Sequence, residues 1–101
     1  MTKDLYRYTF TDDVPIEEVE ASLLLAIMAT ESLHGETQTR LDAAHYLDSA
    51  TRGCAIDAGT PVGRDLNRLF VGFMRREFGE DAFRVERIES QSTKPREPAA
   101  A

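Results

Sequence analysis

Residues 4–11 alternate with a period of two: Tyr6, Tyr8 and Phe10 fall on one side, Leu5, Arg7 and Thr9 on the other. Aromatic residues at that spacing predict a strand with one buried face. The period then changes. Ile16, Val19, Leu23, Ala26 and Ile27 recur at helical spacing, Thr30 is the next position on the stripe, and Leu33 resumes it. Asp12 and Asp13 offer cap oxygens, and Pro15 suits a first turn, where its missing N–H costs nothing. Glu17, Glu18 and Glu20 put negative charge at the positive end of the helix dipole, and His34 and Gly35 suit the other end. A helix is expected over 15–34.

The same punctuation returns later. Thr60 is the cap and Pro61 the first residue of a second long helix, with Leu66, Leu69, Phe70, Phe73 and Phe78 as its apolar stripe. Arg75 and Arg76 lie in the last turn, and Gly79 ends it. Gly72 inside that helix costs about 1 kcal/mol against Ala, so a close approach of another backbone is expected there. Ser22, Ala26 and Ala29 of the first helix are the small residues it could meet. Phe83 and Val85 alternate with Arg84 and Glu86, which predicts a closing strand.

Between the helices, Leu41, Ala43, His45 and Leu47 alternate with polar neighbours, as do Cys54, Ile56 and Ala58. Asp48 to Thr51 supply turn chemistry. A β-hairpin is expected, against a helical reading of 39–52 that Leu41, Ala44, His45 and Asp48 also fit. A turn centred between Ser49 and Ala50 would set Tyr46 opposite Gly53, His45 opposite Cys54 and Asp42 opposite Asp57.

The order is then strand, helix, strand, strand, helix, strand. Right-handed crossovers convert this into an α+β fold, a four-stranded antiparallel sheet with two helices on one face. Element order alone gives the split βαβ, or ferredoxin-like, plan (βαββαβ). A single domain is expected over 1–89. Residues 90–101 have no periodicity and two prolines, and are expected to be a disordered tail. Core-facing sheet positions would be Tyr6, Tyr8, Phe10, Leu41, Ala43, Leu47, Cys54, Ile56, Phe83 and Val85.

Composition narrows the functions. The 101 residues carry 18 acids and 12 bases, for a formal net charge of −6. Seven acids face two bases in residues 1–35, four face two in 36–59, and seven face eight in 60–101. Nucleic-acid binding draws on a clustered positive surface, and the one basic run, Arg64, Arg68, Arg75 and Arg76, is followed closely by Glu77, Glu80 and Asp81. No nucleic-acid partner is expected. Nor is a membrane partner, since the longest apolar run, Leu23 to Ala29, falls far short of the roughly 20 residues of a span. The first ten residues lack the apolar stretch of a secretory signal, and the lone Cys54 permits no internal disulfide, so a cytoplasmic location is expected.

Chemistry is sparse. Cys54 beside His45 could make a nucleophile, but on the face the helices cover; a buried thiol beside a hydrogen-bonded histidine is the plainer reading. Asp42 opposed to Asp57 would need a cation or an arginine to neutralise the pair, and Arg7, Arg40 and Arg84 share that open face. Arg7, Asp42, Asp57 and Arg84 are therefore the candidate ligand-binding residues of a small regulatory domain. An Asp pair or a Cys–His site would make a small enzyme; no catalytic residue, metal ligand or cofactor is assigned. His34 and Glu36 match no metal-ligand spacing, and the loop Gly59–Arg64 reads as a helix cap. The feature a monomer explains least is Leu23 to Ala29, apolar all round a helix that should show a polar back. Leu24, Leu25 and Met28 are the candidate interface of a non-enzymatic module that forms a homodimer or docks on a protein partner.

Overall fold

A computed structural model of the chain describes residues 4–89. The elements are β1 (Asp4–Phe10), α1 (Ile16–His34), α2 (Glu36–Asp42), β2 (His45–Asp48), β3 (Gly53–Asp57), α3 (Pro61–Phe78) and β4 (Phe83–Glu89), with a 3-10 turn at Glu80–Ala82. The tail expected over 90–101 lies outside the described residues. The four strands make one antiparallel sheet in the order β2-β3-β1-β4. Each neighbour being antiparallel, β1 and β2 run parallel with β3 between them, and β3 and β4 run parallel with β1 between them. The class is α+β, with three helices rather than two.

One face of the sheet is covered. Tyr8, Phe10, Cys54 and Ile56 meet Val19, Leu23 and Ala26 of α1 and Leu66, Phe70 and Met74 of α3. Tyr8 stands edge-on to Phe70, with ring centres 5.1 Å apart, the arrangement favoured by the ring quadrupoles. Thr60 caps α3 by accepting a hydrogen bond from the Gly63 N–H at 2.9 Å, and Pro61 opens it. Gly79, at φ 90°, closes it by donating to the Arg75 carbonyl. Gly35, at φ 88°, ends α1 by donating to the Glu31 carbonyl. Its own carbonyl then accepts from both the N–H and the hydroxyl of Thr39, so the same glycine starts α2.

Several expectations are corrected. Pro15 stands just outside α1, which has no side-chain cap; Asp13 instead accepts from the Thr11 hydroxyl at 2.6 Å. Residues 36–42 are helical, so the strand expected from Arg40 onward begins only at His45. The short α2 is held by Glu36–Arg40 and Gln38–Asp42 contacts, each one turn apart at 2.7 Å. Leu41 is consequently an exposed helix residue rather than a core-facing strand residue, and Thr39 is the residue α2 buries. Leu33 points to solvent instead of resuming the stripe, and Val85 stays half exposed because β4 is an edge strand.

The hairpin register differs by two residues. Leu47 pairs with Cys54, Tyr46 with Ala55 and His45 with Ile56. A four-residue loop, Ser49 to Arg52, replaces the expected turn centre, and Arg52 takes the left-handed backbone, φ 55°. A shift of two preserves which face each residue occupies but exchanges every partner. Gly72 meets no backbone among the described residues: a Cβ built there finds nothing of them within 4 Å. The close approach is at Gly63, where a Cβ would lie 2.0 Å from the Asp57 carbonyl oxygen.

Candidate functional site

α1 buries Val19, Leu23, Ala26 and Thr30 and turns its opposite side to solvent. Thr30 is accommodated because its hydroxyl donates to the Ala26 carbonyl one turn back, at 2.7 Å. On the solvent side Leu24 is 56% exposed, Leu25 52% and Met28 62%. Leu24 and Met28 lie one turn apart, so they form a continuous strip. Glu17 and Glu18 precede that strip, Glu31 follows it, and Glu20 lies beside it. The helix contains no Lys or Arg.

The outer side of α3 has the opposite character. Leu66, Asn67, Phe70 and Met74 face inward; Arg64, Arg68, Arg75 and Arg76 face outward, around the open surface at Gly72. Arg68 approaches Asp65 at 3.9 Å. Among the described residues Arg64, Arg75 and Arg76 have no ion-pair partner, and neither do Glu17, Glu18, Glu20 and Glu31. His34 at the end of α1 and Asp65 at the start of α3 are joined at 2.8 Å.

The uncovered sheet face carries Leu5, Arg7 and Thr9 of β1, Gly53, Ala55 and Asp57 of β3, and Arg84 and Glu86 of β4. Arg7 reaches Glu86 across the strands at 3.8 Å, a solvated pair worth little. Three of the four candidate ligand residues, Arg7, Asp57 and Arg84, thus share this face. Asp42 does not: it ends α2, accepts from Gln38, and is not opposed to Asp57. Asp57 is occupied locally, accepting from the Gly59 N–H at 2.9 Å. A shallow hollow of about 200 Å³ lies on this face, lined by Leu5, Ala44, His45, Tyr46, Ala55 and Asp57. A second, of about 380 Å³, lies at the end of β1 beside Glu80, Asp81 and Arg84.

Cys54 and His45 are not brought opposite each other. Cys54 is 2% exposed, and burial pushes its thiol up to about 12, so it holds its proton at neutral pH. Partial burial at the sheet edge lowers the pKa of His45. Among the described residues no three His, Cys, Asp or Glu side chains gather as a metal site. No helix among them is long and apolar enough to cross a membrane. At the start of α3, the Gly63 and Arg64 N–H groups are taken by the Thr60 side chain and carbonyl.

Two polar anchors have no periodic signal in the chain. The Tyr8 hydroxyl donates to Asn67 Oδ1 inside the core. Arg52 reaches over the start of α1, donating to the carbonyls of Thr11, at 2.6 Å, and Val14. A buried Asn on an apolar helix face was the available hint for the first; the second needs the hairpin loop in place. Comparison with protein-family models, with curated proteins and with solved structures finds no match for this chain.

Proposed function

We propose that this chain is a small protein-interaction module of the split βαβ, ferredoxin-like plan, non-enzymatic, working in the cytoplasm and assembling with a second copy of itself through the outer face of its helices. The strand order and the two long helices on one sheet face support the plan. The exposure of Leu24, Leu25 and Met28 on a single helix carries the functional reading. Contiguous apolar side chains of that size are retained on a surface when something covers them. Burying what remains exposed of the two leucines and the methionine, a little over half of each, supplies roughly 2.5–5 kcal/mol per subunit before the costs of association. Sedimentation across a concentration series is the test. A dimer that becomes a folded monomer in Leu24→Glu supports the reading; a wild-type mass that stays monomeric at all concentrations removes it.

A second reading rests on the hollow beside Tyr46 and Ala55, with Arg7, Asp57 and Arg84 on the same face. It makes the open face a small-ligand regulatory site. Thermal stabilisation by a metabolite, abolished in Arg7→Ala, is its expected signature; a broad screen without any stabilisation counts against it.

A further inference from the structure

We propose that the dimer forms by laying α1 of each copy over α3 of the other, so that acidic α1 and basic α3 become each other's complement. This rests on the self-association reading above and specifies its geometry. β1 and β3 are antiparallel, and α1 and α3 leave from their ends, so the two helices run in opposite directions. The His34–Asp65 hydrogen bond sets the end of α1 level with the start of α3. Counting along both at the same rise per residue, Glu31 falls level with Arg68, Met28 with Val71 and Gly72, and Leu24 with Arg75. A two-fold axis parallel to the helices turns one helical layer over onto its copy and keeps those levels. It sets Glu31 against Arg68 of the second copy, with Arg64 one turn away. Met28 comes over the open surface at Gly72, and Leu24 over the aliphatic stem of Arg75. Glu20 then lies within a turn of Arg76 of the second copy.

Two observations point to this arrangement, and a third shows that the helical face is large enough for it. The glutamates of α1 and three arginines of α3 lack ion-pair partners among the described residues. The helix-weakening Gly72 has no neighbour among the described residues to require it, which the close approach of a second copy supplies. Two helices about 27 Å long and about 10 Å across each present roughly 500 Å² of flat area per copy, enough in total to reach the approximately 1,000 Å² of a specific interface. The other two-fold arrangement, with the axis across the helices, stacks α1 on α1. It faces glutamates with glutamates and leaves the arginines idle, which electrostatic complementarity disfavours.

Sedimentation of the full chain at low and high salt, with charge-reversal variants, tests the geometry. Glu31→Arg and Arg68→Glu are each expected to weaken the dimer by about tenfold or more, and the double variant to recover most of that loss. High salt is expected to weaken the wild-type dimer by screening, also by about tenfold. Gly72→Gln is expected to weaken the dimer while raising the melting temperature of the monomer. Far-ultraviolet circular dichroism checks that every variant is folded. If Leu24→Glu gives a folded monomer but the double reversal does not recover, or salt tightens the dimer, the α1-on-α3 geometry falls and self-association stands. If the wild type never dimerises, both fall.

Discussion

Tyr8 occupies the middle of an inner strand and sends its hydroxyl into the core, where Asn67 receives it. Burial raises the pKa of that hydroxyl, so it keeps its proton and remains a donor at neutral pH. Tyr8→Phe keeps the ring against Phe70 and leaves a buried amide oxygen without its partner. It is expected to cost about 1–3 kcal/mol, read from urea unfolding. An unchanged midpoint would mean that Asn67 finds another donor. Period two marks Tyr8 as buried but says nothing of where its hydroxyl ends, because Asn67 is 59 residues away. Arg52 was hidden for the same reason. Its partners, Thr11 and Val14, are remote in sequence, and a loop arginine reads as solvent-facing until the loop is folded. Of the candidate ligand residues, Arg7, Asp57 and Arg84 were placed together by alternation alone. Asp42 was misplaced because two turns of helix stand where a strand was expected.

The two long helices were legible because each advertises itself three times, through a stripe, a proline at its start and a glycine at its end. α2 was not. Seven residues bury a single threonine, so there is no apolar stripe to read, and its polar residues at 36, 38, 40 and 42, joined one turn apart, mimic alternation. Glycine was half legible: its presence signals close approach or freedom, but not which. Gly63 carries the approach, pressing the first turn of α3 onto the end of β3, while Gly72 stands in open space. The two are expected to respond oppositely to the same substitution. Gly63→Ala must push helix and strand apart and should cost about 1–3 kcal/mol or more. Gly72→Ala should stabilise the monomer by up to about 1 kcal/mol. Paired thermal melts decide; a loss of stability at Gly72 would show that an inward neighbour had been overlooked there.

Across the whole molecule, charge and stability meet at few places. His45 is a clear case, since partial burial at the sheet edge favours its neutral ring and lowers its pKa from the ordinary 6.5. A lowered histidine means that the unfolded chain takes up the proton more readily than the folded one. Stability is therefore full above the unfolded pKa and declines as pH falls through it toward the lower folded value. His45→Gln is expected to flatten the melting-temperature profile on the acid side of neutrality; a profile parallel to that of the wild type would remove the assignment. The acidity of the chain is unevenly divided between its long helices, with four glutamates and no Lys or Arg on α1, and four arginines against Asp65 and Glu77 on α3. That division was visible in the segment charges, but its meaning depends on the two helices lying side by side with both outer faces turned the same way.

The lone thiol has a use that follows from its position. Cys54 sits on an inner strand, walled by Leu47 and Tyr8 on either side and by the helices above, so a reagent reaches it only when the sheet parts. Its labelling rate, divided by that of an unstructured cysteine peptide, measures the fraction of time the centre of the sheet is open. A rate equal to the peptide's would contradict the packing around β3. A slow rate that quickens on dilution of the protein would report assembly from inside the subunit, with no label placed near the interface.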